Sequence, residues 1–299
     1  MYKLKRYITS LPDNTRGAVT ILVAAAGFSV MAFLIKLAGV RLHVTQIIFV
    51  RQLIIILIMA PQLAQGFPGS VKTTQPLLHL ARVSAALVAM LAGFTAVINM
   101  PLADATAIGF AKSFFVTIFA IILLKETVGI RRWFATLLGF GGVMIMLQPG
   151  TGGFTIYGIY AALGAVAAGL VMVLLRIMSR TEKPATLLIY QGVGVAIVLA
   201  IPAVLNWQAP TATEWLLLIF VGLTGYFSQM CNIYAYKFGE ASLLAPLEYT
   251  RILYATIIGL VVFGDVPGVP TIVGAAIVIL ASGYTIHRER QLKKSISTP

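Results

Sequence analysis

The length of the apolar runs constrains this chain more than any other feature. Ten of them follow one another, at about residues 18–38, 44–64, 77–98, 103–124, 131–148, 156–178, 185–205, 214–236, 241–263 and 269–286. A helix rises about 1.5 Å per residue, so roughly 20 apolar residues cross the ~30 Å hydrocarbon core of a bilayer. Membrane strands would need alternating segments of about 10 residues, and these runs are longer and continuous. Only 10% of the residues are charged, against about 25% in a soluble domain. The fold class expected is all-α integral membrane, with ten transmembrane helices. The first run follows Lys3, Lys5 and Arg6 as a signal peptide's would, but it continues to about Leu37. That exceeds an h-region of about 7–15 residues, so it reads as a retained span.

The cations orient these spans. With the N-terminus placed in the cytoplasm, sixteen Lys and Arg fall on the inner side, among them Lys72, Lys125, Arg131, Arg132, Arg180, Lys183 and the tail cations Arg288, Arg290, Lys293 and Lys294. The outer loops hold only Arg41. That split follows the positive-inside rule. Both termini are then cytoplasmic, residues 287–299 form a basic cytoplasmic tail, and the expected location is a bacterial inner membrane. The net charge of +13 is thereby accounted for by topology, and no motif cradles phosphate or reads bases. The single cysteine, Cys231, and three scattered histidines point to no disulfide and no metal centre.

Two segments repeat. Ala103-Asp104-Ala-Thr-Ala is echoed by Gly239-Glu240-Ala-Ser-Leu, and Leu123-Leu-Lys-Glu126-Thr-Val-Gly by Val262-Phe-Gly-Asp265-Val-Pro-Gly. Aligning Glu126 with Asp265 puts Phe110 on Tyr249 and Lys112 on Arg251. Five spans per copy is an odd number, so the copies, 18–148 and 156–286, must lie upside down to each other. The first hinge carries Lys125, Arg131 and Arg132 while the second carries no cation, which agrees with opposite sides of the membrane. Inverted repeats are the build of many transporters, whose solute site lies at the midplane between copies.

Further motifs carry a family resemblance: Pro101-Leu-Ala-Asp-Ala-Thr-Ala-Ile, the Glu126 hinge with Arg131-Arg-Trp133, Leu138-Gly-Phe-Gly-Gly-Val143 before Pro149-Gly150, and Ala245-Pro246-Leu-Glu-Tyr249. With these, over roughly residues 20–285, the chain resembles the ten-helix EamA-type transporters of the drug/metabolite transporter superfamily. Val40-Arg-Leu-His43, Phe49-x-Arg51 and Pro76-x-x-His79-x-x-Arg82 look most like the branch of riboflavin and S-adenosylmethionine uptake proteins. The resemblance implies two five-helix EamA-type repeats, transport without ATP, and uptake of a vitamin- or nucleoside-like metabolite. Relatives elsewhere in the superfamily export amino acids, so export of amino acids or other small organic anions is the alternative. One departure stands out. Members often carry proline after the residue matching Lys112, and here Ser113 occupies that place. A proline kink is therefore not implied.

A charge at the bilayer centre costs about 2.5–3.5 kcal/mol on insertion scales and usually faces a cavity or a partner. Lys112 and Arg251 lie near mid-depth of their spans. They read either as substrate contacts for an anionic or carbonyl-rich solute, or as packed charges. Glu248 stands three residues before Arg251, close enough to pair with it on one helix face. Its alternative role is as the site of a coupling proton. Phe110, Tyr249 and Gln229 complete the candidate substrate-binding set, offering ring faces and an amide. Arg51, Arg82 and His79 are candidates for gates at the cavity mouth, or for interfacial packing. Lys36, near a span end, reads as a snorkelling residue. Ala161, Ala165 and Gly169 share one face of the sixth span and permit close helix packing. The partners implied are a small-molecule substrate and the lipid bilayer, with a coupling proton and a homodimer left open. No nucleic acid, cofactor or catalytic residue is implied. An integral membrane enzyme would need a catalytic constellation, and a channel a polar-lined pore; the spans offer neither.

Overall fold

A helix satisfies every backbone polar group within its own segment, which is why long apolar runs adopt it where water is absent. The computed structural model describes residues 13–66, 72–125, 130–148, 155–178, 181–238 and 247–280. Tail 287–299, the hinge residue Glu126, Glu240 and Ala245-Pro246 lie outside the described residues. Among those described there is no strand. The helices in chain order are α1 (Asp13–Ala38), α2 (Val44–Gly66), α3 (Pro76–Asn99), α4 (Leu102–Gly109), α5 (Lys112–Leu124), α6 (Ile130–Leu147), α7 (Ile156–Met178), α8 (Pro184–Leu205), α9 (Ala212–Phe238) and α10 (Thr250–Ile258). A π turn, Gly259–Phe263, continues α10, and α11 (Val269–Leu280) follows. Seven stretches are long and apolar enough to cross a membrane, taking α4 and α5 together as one. Three shorter apolar helices accompany them, Leu137–Leu147, Thr250–Phe263 and Val269–Leu280. Large apolar side chains face outward, including Leu205 at 79% and Val261 at 77% exposed, a surface that lipid rather than water can cover.

The fourth apolar segment is not the continuous helix that its composition predicts. It breaks at Phe110-Ala111, where hydrogen bonds shift to the tighter three-residue pattern: Phe110 N–H to Ala107 O at 3.2 Å, Ala111 N–H to Ile108 O at 2.9 Å, and Phe114 N–H to Ala111 O at 3.0 Å. No proline is needed, because a 3₁₀ step alone can interrupt an α-helix. The ninth segment breaks likewise at Tyr249, with Ile252 N–H bonded to Tyr249 O at 2.9 Å. The two breaks fall on the pair matched by the sequence repeat. So do the two left-handed caps: Lys125 (φ 53°) ends α5 and Gly264 (φ 67°) ends the π turn. Glycine adopts this conformation freely, whereas a lysine there costs roughly 1–2 kcal/mol.

Helices from the two parts of the chain pack against each other. α1 lies on α9, α3 on α7, α2 on α8, α10 on α1 and α5 on α7. Small residues set the closest crossings. A Cβ on Gly169 of α7 would stand 3.1 Å from the Lys112 carbonyl oxygen, and one on Gly142 of α6 would stand 2.8 Å from the Gly274 carbonyl oxygen of α11. Ala161 and Ala165 are buried on the α7 face that Gly169 extends, in one cluster with Phe110, Phe114 and Tyr249. Larger side chains there would push the backbones apart.

Candidate functional site

The two helix breaks place the site. Phe110 closes α4, and Lys112 opens α5 two residues later. Tyr249 precedes α10, with Arg251 two residues beyond it. The Phe110 and Tyr249 rings meet at 4.8 Å between centroids, tilted by 48°. Lys112 Nζ lies 3.6 Å from Glu248 Oε2 and 5.5 Å from the Phe110 ring. Arg251 sits over Phe28 of α1 at 5.1 Å, in cation–π range. Its Nε is buried with no hydrogen-bond partner. Ser29 holds the α10 start to α1, its hydroxyl 3.2 Å from the Arg251 carbonyl oxygen.

Two cavities flank this group. One, of about 240 Å³, lies between α1, α3, α4 and α7 on the side of Met31 and Ile35. The other, of about 140 Å³, lies on the side of Ile21 and Phe28 and is lined also by Gln229, Asn232 and Glu248. Phe110, Lys112 and Arg251 line both, so they form the wall between them. Two cations against one carboxylate leave this wall with an excess positive charge, suited to an anionic or carbonyl oxygen.

Of the predicted substrate set, Lys112, Arg251, Glu248, Phe110 and Gln229 share one cavity. Tyr249 is buried behind it, supporting Phe110. Glu248 acts electrostatically on Arg251, as its spacing predicts, and also has Lys112 within ion-pair distance, a partner that the spacing did not suggest. His79 and Arg82 line neither cavity. They are buried between α3 and α8, His79 stacked on Tyr190 at 4.1 Å and Arg82 donating to Leu187 O at 2.7 Å. Arg51 is buried between α2 and α9.

Sequence reasoning missed a second cluster. Lys36 does not snorkel: its Nζ lies 2.6 Å from Asp265 Oδ2 and 3.1 Å from Met100 O, over the Phe263 ring at 4.5 Å. Asp104 stands nearby, half-buried beside the Thr271 side chain. The repeat had matched Asp104 with Glu240 and Asp265 with Glu126, but no local signal links either aspartate to Lys36, far away in sequence. Phe28, likewise, carried no sequence signal.

A helical membrane protein with a charged wall between two internal cavities, drawn from both parts of its chain, has the architecture of a solute carrier. The chain belongs to the EamA-like transporter family, whose model matches twice, at residues 15–148 and 155–286. It is 27% identical over 289 residues to the S-adenosylmethionine uptake transporter of Rickettsia prowazekii, covering 97% of each chain. It is 29% identical to the riboflavin transporter of Vibrio cholerae, covering 92% of this chain and 94% of that one. The pseudopaline exporter of Pseudomonas aeruginosa is 27% identical, with 89% and 94% covered. A solved crystal structure superposes with a TM-score of 0.63 at 16% identity, covering 93% of this chain and 99% of that one, which shows the fold. The protein is thus a multi-pass membrane transporter of the EamA family, working on a small molecule within a lipid bilayer.

Proposed function

We propose that this chain is a secondary transporter that moves a small polar metabolite by alternating access, with the Lys112–Glu248–Arg251 wall as its solute site. The observation that carries the reading is the site's origin. Lys112 comes from the first family match, Glu248 and Arg251 from the second, and their helix breaks occupy repeat-matched positions. Ten spans, arranged as inverted five-helix repeats 18–148 and 156–286, account for this. Exchanging each span with the one five further on turns the α1–α9 contact into α7–α3, and α10–α1 into α5–α7. All four contacts are present. Rocking one half against the other would expose the wall first to one cavity, then to the other.

The solute class supported by the relatives is a vitamin- or nucleoside-like metabolite such as S-adenosylmethionine or riboflavin, taken up across a bacterial inner membrane with both termini cytoplasmic. Tail 287–299 belongs to the cytoplasmic side in this reading. The pseudopaline exporter's similarity supports export of a small organic anion as the second reading. Proteoliposomes decide between them: saturable flux of S-adenosylmethionine or riboflavin above empty liposomes is the expected result. Flux of neither, with net uptake of carboxylate-rich solutes into inside-out vesicles, would move the protein to the second reading.

A further inference from the structure

We infer that Arg51 is a specificity-determining residue of the larger cavity, which takes a carboxylate of the solute when the Met31 side chain swings aside. The inference rests on the solute-carrier reading above and adds a residue and a chemical group to it.

Arg51 is 8% exposed. Its Nη1 donates to Gln52 Oε1 at 2.6 Å, and its Nε is buried with no partner. Gln52 is its own neighbour on α2, so this bond ties α2 to nothing else. Arg82 shows what a structural arginine does in the same protein: it crosses to another helix and binds the Leu187 carbonyl oxygen. No carboxylate lies within ion-pair distance of Arg51 among the described residues. A guanidinium taken out of water without a counter-charge recovers little of its desolvation cost, which is the signature of a charge kept for a ligand.

The guanidinium lies one side-chain layer from the larger cavity. A Cβ on Gly225 of α9 would stand 3.0 Å from both Arg51 Nε and Met31 Sδ, so those two atoms are within about 6 Å of each other. Arg51 Cζ is 6.0 Å from the Phe94 ring centroid. Met31 and Phe94 both line the cavity. A thioether side chain has three soft torsions and repacks easily, so Met31 can act as the cover. Glycine at 225 keeps the space into which the arginine fits. An arginine fork matches a carboxylate in two-point geometry, which a lysine does not.

The test compares wild type, Arg51→Met and Arg51→Lys, each as the full chain, for ligand-free melting temperature and for transport of S-adenosylmethionine against its decarboxylated form. The expected result is an Arg51→Met protein that melts at or above the wild-type temperature, because a buried uncompensated charge is gone. Its preference for the carboxylated form, at least tenfold in the wild type, should vanish, and Arg51→Lys should retain part of it. A melting temperature lowered by Arg51→Met identifies a structural arginine and overturns the inference, as does a wild type that does not distinguish the two forms. Wild-type flux no greater than empty liposomes for both S-adenosylmethionine and riboflavin is a failure of the transporter reading. Flux that is present and indifferent to Arg51 is a failure of this inference alone.

Discussion

Among the described residues three ion pairs join the halves of this molecule; one, Arg41–Glu214, is exposed at the surface, and the other two differ in kind. Each draws its cation from the first family match and its acid from the second. Lys36–Asp265 is tight, at 2.6 Å, with a backbone carbonyl and an aromatic ring completing the ammonium's surroundings. Lys112–Glu248 is loose, at 3.6 Å, and faces a cavity. A fully coordinated pair holds a shape, and removing one partner strands a desolvated charge. A loosely held pair beside open space can exchange its partner for a solute group at little cost. In the transport reading proposed above, the difference separates a contact that holds two helices together from one that would handle cargo.

The largest expected effect is on cargo. Lys112→Ala should lower solute flux by about 100-fold, the scale of a lost charge-assisted contact of about 2–3 kcal/mol, while shifting the melting temperature by only a few degrees. Glu248→Gln should reduce flux less, about 10-fold, since the amide still accepts a hydrogen bond from Lys112. Equal losses of folding and flux in these variants would erase the distinction between the pairs. Next in size, Asp265→Asn should act mainly on stability, by about 1–3 kcal/mol, through the ammonium left without its charge partner. Denaturant unfolding in detergent would read this, and unchanged stability with abolished flux would place Lys36–Asp265 among the cargo contacts instead. Gly169→Leu should cost stability by a similar or smaller amount, about 1–3 kcal/mol of overpacking, by pushing α7 off the Lys112 carbonyl. The smallest effect expected is that of Tyr249→Phe, which keeps the ring contact with Phe110. Flux within about twofold of wild type would confirm that Tyr249 supports the wall without touching solute.

The charges inside the apolar runs were legible from the chain alone. Lys112, Arg251 and Glu248 stand out because each violates the composition around it, and the repeat puts Lys112 and Arg251 at matching depth. Phe110 and Tyr249 were legible as a matched pair, and the structure shows why they matter: each marks a helix break. The breaks themselves were not legible. Phe110-Ala111 has no proline or glycine pair to announce a 3₁₀ step, so apolar continuity read as helical continuity. Lys112 as a partner of Glu248 was not legible either, because it is a long-range contact between the two halves. Lys36 was misread because snorkelling is the default for a lysine at a span end, and its partner Asp265 is a long-range contact. Arg51, Arg82 and His79 were read together as gates or as interfacial packing, and the structure parts them: His79 and Arg82 pack α3 against α8, and Arg51 lies beside the larger cavity.

Hydrophobic run length and charge placement are one-dimensional properties, and a bilayer converts them directly into helices. The sequence by itself therefore determined the all-helical membrane class, and through its own internal echo the likeness of the two halves. Which charges meet is a different matter. It depends on how far each helix turns before it breaks and on which small residues let backbones approach, as at Gly169 and Gly142. Those distances of a few ångströms decided that Lys112 faces Glu248, that Lys36 meets Asp265, and that Arg51 keeps its charge behind Met31. Coulomb energies and hydrogen bonds are settled over such distances, and only the packed tertiary structure defines them.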